Sequence, residues 1–170
     1  MRILPRRFYN RDTVQVAKDL LGKTLIRKIG KRDLTGIIVE TEAYAGVTDK
    51  ASHAYDGKRT KRTDIMYASG GTIYVYLCYG IHHLFNVVTN IEGVPHAVLI
   101  RAIQPLEGID LMLQRRNMKK LLPKFTSGPG ILSKAMGISI LNSGQSLFSR
   151  YIWIENRGNN NPLKTPKIIT

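Results

Sequence analysis

Short strand-like runs of apolar, β-branched and aromatic residues recur along the middle of this chain. Residues that favour turns, chiefly glycine, asparagine and proline, separate several of these runs. The runs cover Thr24–Arg27, Gly36–Thr41, Thr72–Tyr79, Leu84–Thr89, Ala97–Ile103 and Tyr151–Glu155. The pattern therefore predicts a sheet built from the central part of the sequence, with one further strand near its end.

Apolar residues at helical spacing predict a first helix near the start of the chain. It follows the capping residues of Asn10–Thr13, carries Val14 and Leu20 among its apolar positions, and stops at Gly22. Two further helices are predicted over Glu107–Arg116 and Pro129–Met136.

These elements do not alternate regularly between strand and helix, as a doubly wound fold would require. We therefore expect an α+β fold with a curved, mainly antiparallel sheet flanked by helices. The length of 170 residues fits one domain, covering 1–170. The stretch Asn156–Pro162, with its consecutive asparagines, is interpreted as a surface loop of that domain.

Charge changes the picture, because 26 Lys and Arg residues against 12 Asp and Glu residues give a formal net charge of +14. This balance is typical of proteins that bind polyanions. A hydrophobic content of 43% indicates a packed domain and not a basic tail. Charge alone leaves two classes open, a basic protein lodged in a ribosome and another kind of nucleic-acid-binding protein.

Cys78 is the only cysteine, so the chain forms no internal disulfide and no four-cysteine zinc site. The four histidines, His53, His82, His83 and His96, show no spacing typical of metal ligands. The first residues are charged, and no apolar run approaches the roughly 18 residues of a membrane span. We expect an intracellular protein without a bound metal or a membrane partner.

The segment Val39–Tyr44 places two glutamates, Glu40 and Glu42, in an apolar strand of a basic protein. Strict alternation puts Ile38, Glu40 and Glu42 on one face, and Ile37, Val39 and Thr41 on the other. Glu42 then lies where the strand ends and a loop begins. A carboxylate in that position can act as a general base.

The tyrosine-rich run Gly71–Gly80 also has two faces. Ile73 and Val75 project to one side and Tyr74 and Tyr76 to the other. The tyrosines are either ordinary half-buried sheet residues or a stacking wall for a flat ring. Tyr79 with Gly80 predicts the tip of a hairpin, from which Tyr79 protrudes and can wedge into a base stack.

The run Gly57–Arg62 is the densest basic patch of the chain. It is either a solvated loop or a contact with phosphates, because lysine and arginine neutralise phosphates without demanding precise geometry.

Several motifs in a fixed order now point to one family. They are Val39–Tyr44, Ala51–His53, Tyr74–Gly80, Asn86, Leu99–Ala102, Pro105–Gly108 and Ser127–Pro129. With them the chain resembles the 3-methyladenine DNA glycosylases of the alkyladenine (methylpurine) type, from about Ile3 to Lys167.

The resemblance implies a monofunctional DNA glycosylase of base excision repair whose partner is double-stranded DNA containing damaged purines. It would flip an alkylated or deaminated purine out of the duplex and hydrolyse the N-glycosidic bond. The damaged bases would include 3-methyladenine, with hypoxanthine and ethenoadenine as further candidates. We expect it to act as a monomer, without a cofactor and in association with DNA.

By this resemblance Glu42 is the base that activates water, and Arg101 with the main-chain carbonyl of Ile168 holds that water. Glu40 is expected to have a structural role. A sugar glycosidase with paired carboxylates is the alternative, but residues two apart on a strand project from one side at about 7 Å separation and do not flank a bond. The net charge also favours a polyanionic substrate.

Tyr44, His53 and Tyr76 resemble the family's aromatic pocket for the flipped base, whose electron-rich rings favour an electron-poor alkylated purine. Asn86 matches the residue that opposes the amino group of guanine, and Tyr79 matches the residue that fills the gap left in the duplex. The positions expected to approach the DNA backbone are Thr60, Arg62 and Met66 and, at a helix start, the amides of Ser127 and Gly128.

Two departures from the family pattern affect these expectations. Ile169 stands where a glycine is expected and the sequence ends at Thr170, so the closing strand is expected to be missing. Ile131 replaces a lysine that approaches phosphate in some members. A second hypothesis is therefore a noncatalytic nucleic-acid-binding module that keeps the fold but has lost activity through its shortened end.

Overall fold

A computed structural model of the chain describes residues 3–158 and the backbone of 167–169. The α-helices are α1 (Arg6–Tyr9), α2 (Thr13–Leu20), α3 (Ile109–Arg116) and α4 (Pro129–Met136). The strands are β1 (Thr24–Ile29), β2 (Arg32–Tyr44), β3 (Ile73–Cys78), β4 (His82–Thr89), β5 (His96–Glu107), β6 (Ile152–Glu155) and β7 (Lys167–Ile169). Short 3-10 helices cover Gly46–Thr48, Tyr55–Gly57, Thr63–Tyr67 and Ile140–Asn142.

The strands form one curved sheet in the order β3-β4-β5-β2-β1-β6, in which every neighbouring pair is antiparallel. Strand β7 lies outside this order and pairs with β2 in parallel. The long strands β2 and β5 make up the centre and carry the segments that bear chemistry. The prediction of an α+β fold with a mainly antiparallel sheet is confirmed.

The main core lies between one face of the sheet and the helices. Helix α2 packs on β2 and β5, while α4 packs on β4 and β5. The side chains that fill the space are apolar and almost wholly buried, and include Leu25, Ile38, Phe85, Ile100, Met112 and Leu132. Each contributes roughly 1.5–3 kcal/mol by leaving water, so this layer holds the sheet curved around the helices.

Helix boundaries follow local signals in the sequence. Asp12 caps α2 by accepting a hydrogen bond from the Gln15 amide at 2.9 Å. Helix α4 begins at Pro129, as predicted, because a proline at the first helical position loses no intrahelical bond. The predicted start of α3 at Glu107 is wrong: Glu107 ends β5, and Gly108 at φ 72° turns the chain before the helix.

Strand β7 adds a short parallel segment beside β2. Its residues Lys167, Ile168 and Ile169 pair with Glu40, Thr41 and Glu42 of β2. The sequence did not predict this strand, because three residues are too few for a periodic pattern. Within residues 3–158 and 167–169, no helix has both the length and the apolar character needed to cross a membrane.

Candidate active site

Two opposed irregularities in the central strand pair create the site. Ile38 pairs with Ile103 and Glu40 with Ala102, so Val39 is an extra residue in β2. The next pair is Thr41 with Ile100, which makes Arg101 an extra residue in β5. Such bulges re-aim side chains at the cost of ladder hydrogen bonds.

The bulge in β2 overturns the strict alternation predicted for this strand. Ile38 lies in the main core, and so does Ala43. Thr41 also points that way, because its hydroxyl donates to the carbonyl of Ala17 at 3.0 Å. Glu40 and Glu42 face the opposite side, so Ile38 does not share a face with them.

Arg101 bridges the two glutamates. Its Nε donates to Oε1 of Glu40 at 2.9 Å, and its Nη1 donates to Oε2 of Glu42 at 2.5 Å. All three side chains are 18–28% exposed, so solvent screens these contacts only in part. Burial opposes the charged guanidinium, but the hydrogen bonds and charges of both glutamates outweigh it and raise the pKa of Arg101.

Tyr44 holds the other oxygen of Glu42, donating its hydroxyl to Oε1 at 2.9 Å. Burial, reinforced by the charge and hydrogen bond of Glu42, raises the pKa of Tyr44 well above its usual range. Tyr44 therefore stays protonated and acts as a donor. Each oxygen of Glu42 accepts one hydrogen bond, which fixes the carboxylate and leaves lone pairs for a water molecule.

The main chain of Ile168 lies beside this cluster. Ile168 is paired in parallel with Thr41, between the positions opposite Glu40 and Glu42. The structure thus brings Glu42, Arg101 and the Ile168 backbone to one region of the sheet, as the sequence predicted for the three.

A pocket lined by aromatic side chains opens next to Glu42. Its walls are Tyr44, Ala51, His53, Met66, Tyr74, Tyr76, Asn86 and Ala97. The enclosed volume is only about 20 Å³, room for about one water molecule. The predicted base-binding residues are therefore together, but the space between them is too small for a purine.

Contacts between the aromatic rings explain why the pocket has so little free volume. His53 and Tyr76 meet edge to face, with ring centroids 4.5 Å apart and planes at 72°. Tyr74 and Tyr76 are tilted against each other at 5.5 Å. No gap for a purine lies between His53 and Tyr76 in this arrangement, so a base can stack there only after one of the rings turns.

The pocket groups are uncharged at neutral pH. Nδ1 of His53 lies 2.9 Å from the hydroxyl of Tyr74. Burial, and then the nearby charge of Arg62, lowers the pKa of His53. Burial raises the pKa of Tyr74 and that of Tyr76 to about 12. The polar side chains that His53, Tyr74 and Tyr76 present to the pocket are therefore neutral hydrogen-bonding groups.

Asn86 is buried in the pocket wall and fixed by the main chain. Its Nδ2 donates to the carbonyls of Tyr74 and Leu84, at 3.2 and 3.1 Å. Both amide hydrogens are thus used, and the carboxamide oxygen is the polar atom left for a ligand.

Two pocket residues differ from the sequence predictions. Met66 was expected near the DNA backbone, but its side chain is 2% exposed and packs in the pocket floor with Tyr74 and Val88. The 3-10 helix Thr63–Tyr67 turns this apolar side chain inward, as burial of apolar area favours. Strand parity placed Tyr74 with Tyr76 in a possible stacking wall, but Tyr74 was not among the residues matched to the base-binding pocket.

The β3-β4 hairpin ends in a protruding aromatic side chain. Tyr79 is 92% exposed and, with Gly80, forms a turn in which both residues have positive φ, 51° and 72°. The Ile81 amide donates to the Cys78 carbonyl at 3.1 Å and closes the turn. A non-glycine residue in this region is strained, and such strain often accompanies function.

The basic loop borders a separate, polar cavity of about 290 Å³. Lys50, Lys58, Thr60 and Arg62 line it, and His53 belongs to both cavities. Arg59 of the same run is used internally, because its Nε contacts Asp64 at 2.6 Å and its guanidinium lies over the Tyr67 ring. The run is therefore not uniformly available to phosphates.

The amides proposed for phosphate binding at the start of α4 are constrained. The Gly128 amide donates to the carbonyl of Arg101 at 2.9 Å, and Ser127 forms a bridge with Ala102. The Gly128 amide is therefore already bonded within the chain. Among the described side chains, no cluster of three or more His, Cys, Asp or Glu forms a metal site.

Comparison with known proteins defines the class of this chain as a DNA glycosylase. The profile described as methylpurine-DNA glycosylase matches residues 7–170, and the chain belongs to that family. A relative from Alkaliphilus oremlandii is 47% identical over 165 residues, covering 93% of this chain and 82% of its own. One from Chlamydia felis is 45% identical over 170 residues, covering 98% and 87%. Both carry the name "Putative 3-methyladenine DNA glycosylase".

Family membership makes the protein a DNA-repair enzyme with DNA as its substrate. The resemblance inferred from the sequence motifs is thereby confirmed.

Proposed function

We propose that this protein excises damaged purines from duplex DNA by flipping the nucleotide and hydrolysing its N-glycosidic bond. The expected substrates are 3-methyladenine, as in the names of its relatives, and also hypoxanthine and ethenoadenine. The observation that carries the proposal is the adjacency of a fixed carboxylate, Glu42, to an aromatic pocket that shares Tyr44 with it.

In this mechanism Glu42 takes a proton from water while the water oxygen attacks C1′ of the flipped nucleotide. The C1′–N bond breaks and its electrons leave with the base. Positive charge develops on the sugar, and the carboxylate stabilises it. An alkylated purine that carries a positive charge leaves as a neutral base, so this lesion needs no general acid.

The water is held, in this proposal, by Arg101 and the main-chain carbonyl of Ile168. The 2.5 Å contact of Arg101 with Glu42 leaves further N–H groups of the guanidinium for the water or the sugar.

The base stacks, in this proposal, between Tyr44, His53 and Tyr76 after His53 and Tyr76 move apart. The neutral rings attract a cationic or electron-poor purine more than a normal base. The carboxamide of Asn86, fixed by two main-chain carbonyls, opposes the amino group of guanine. This rigidity favours steric rejection of guanine, because the amide has no free rotation.

DNA binding is proposed to involve Tyr79 as the wedge and the cavity beside Thr60 and Arg62 as a phosphate contact. Ser127 remains a candidate for a backbone contact. The net charge of +14 supports binding to DNA without a second subunit, and we propose a monomer that acts inside the cell.

A direct test uses duplex oligonucleotides with a single 3-methyladenine, hypoxanthine or ethenoadenine, followed by alkaline cleavage of abasic sites. We expect strand cleavage at the lesion and none in the undamaged duplex. Tight binding without abasic product would instead support the noncatalytic module.

A further inference from the structure

We propose that Glu40 is a positioning residue for the reaction, acting through Arg101. It accepts the Nε hydrogen bond of Arg101 and thereby fixes which edge of the guanidinium faces Glu42 and the attacking water. The inference rests on the proposed function, in which Arg101 and Glu42 hold and activate that water.

The geometry assigns different parts of the guanidinium to the two glutamates. Nε is bound to Glu40 at 2.9 Å and Nη1 to Glu42 at 2.5 Å. A guanidinium has five N–H groups in a rigid plane. These two contacts use two of them and fix the orientation of that plane, so the remaining three point in fixed directions.

The main chain of Arg101 is held as firmly as its side chain. Its carbonyl accepts the Gly128 amide at 2.9 Å, which satisfies a backbone group at the bulged position of β5. Ser127 and Ala102 form the adjoining bridge. A fixed backbone and an anchored Nε leave the guanidinium little freedom to turn.

The bulge in β5 serves this contact. Glu40 and Glu42 share a face by regular alternation, whereas a regular residue opposite Thr41 would face the core, so without the extra residue at Arg101 the guanidinium would not lie between the two carboxylates. The two bulges interrupt the regular backbone hydrogen bonding between β2 and β5, the longest strand pair of the sheet. An ion pair with only a structural role could form between side chains on one face of a regular strand pair, without either bulge.

Loss of Glu40 frees Nε. Arg101 would then have Glu42 as its remaining carboxylate partner in the described part of the chain and could turn to bind it with two parallel N–H groups. That arrangement competes with Tyr44 and with water for the oxygens of Glu42. The expected result is slower chemistry with little change in DNA affinity.

Two substitutions separate position from charge. Glu40→Gln keeps an acceptor oxygen at the same reach and removes the charge, whereas Glu40→Asp keeps the charge and shortens the reach. Glu107→Gln is the matched control, because Glu107 contacts Arg157 at 3.5 Å at the far end of β5. Single-turnover rates of base release and dissociation constants are measured for duplex DNA carrying one lesion.

If Glu40 positions Arg101, Glu40→Asp should slow base release about 10- to 100-fold, while the dissociation constant for lesion duplex should change less than about threefold. Glu40→Gln and Glu107→Gln should remain within about fivefold of the unmodified rate. In protein carrying Arg101→Ala, Glu40→Asp should cause no further slowing, because Glu40 acts through Arg101.

Failure of this inference can be distinguished from failure of the proposed function. If the unmodified protein releases no base, the proposed function fails. If it does release base and Glu42→Gln abolishes release, but Glu40→Asp is as fast as the unmodified protein, only the role of Glu40 is overturned. Slowing by Glu40→Gln equal to that by Glu40→Asp would also overturn it.

Discussion

Tyr44 donates its hydroxyl to Oε1 of Glu42 at 2.9 Å, from two positions further along the same strand. One side chain therefore belongs to the carboxylate site and to the aromatic pocket. A base that stacks on the Tyr44 ring would contact the group that orients the proposed general base. This relationship links binding of the damaged base to the geometry of hydrolysis.

Tyr44→Phe tests that link, because it keeps the ring and removes the hydroxyl. We expect base release to slow about 10- to 160-fold, the rate equivalent of one hydrogen bond to a charged group of about 1.5–3 kcal/mol, with unchanged affinity for lesion duplex. Tyr151→Phe is the control, since Tyr151 is exposed and outside the pocket. Equal rates for Tyr44→Phe and the unmodified protein would remove the hydroxyl from the mechanism.

Glu42→Gln tests the base itself. The amide is isosteric and still accepts a hydrogen bond from Arg101 or Tyr44, so folding and DNA binding should persist. Single-turnover base release should fall roughly 10²–10⁴-fold, the usual scale for loss of a general base. Affinity is measured by fluorescence anisotropy on the same duplex, and unchanged turnover would refute the assignment of Glu42.

The sequence predicted the strands of the β3-β4 hairpin well because their signal is local. The runs at Ile73–Cys78 and His82–Thr89 were predicted within two residues, and Tyr79 with Gly80 was correctly placed at the hairpin tip. A two-residue turn between paired strands needs only neighbouring residues. Helix α4 was predicted at its observed bounds for the same reason, from Pro129 and Gly137.

The sequence could not predict features that depend on register between distant segments. The bulges at Val39 and Arg101 arise only when β2 pairs with β5, and they decide which side chains meet. Met66 lacks any local sign that it turns into the pocket. The closed contact between His53 and Tyr76 likewise depends on how a loop folds over β3.

Arg62→Ala should reduce the salt dependence of DNA binding. The slope of log K against log salt concentration should decrease by about one if Arg62 neutralises one phosphate. Arg59→Ala removes the same charge from the same loop, but Arg59 is engaged by Asp64 and Tyr67, so its slope should change little. Equal slopes for the two variants would argue that neither arginine makes a specific phosphate contact.

His53 should make stability depend on pH. Burial and Arg62 lower its pKa in the folded protein, so the unfolded state binds more protons below about pH 6.5. Its favourable contribution is present above that value and is lost as pH falls through the lowered pKa. Relative to His53→Gln, the unmodified protein should lose stability between about pH 7.5 and pH 5 in urea unfolding. His96 is present in both proteins, so its contribution cancels in the comparison. A difference in unfolding free energy between the two proteins that does not change with pH would contradict this prediction.

Tyr79→Asn should stabilise the protein and weaken its binding to duplex DNA. Asparagine followed by glycine is favoured in a turn with two positive φ values, so relief of strain at φ 51° should raise the free energy of unfolding by about 1 kcal/mol.

Loss of the exposed ring should weaken binding to lesion duplex roughly 5- to 150-fold, the range for one aromatic stacking contact. Excision from a single-stranded oligonucleotide should change far less, because no stack must be opened there. Urea unfolding, anisotropy and single-turnover assays measure the three quantities. Equal losses on single-stranded and duplex substrates would show that Tyr79 does not act as a wedge.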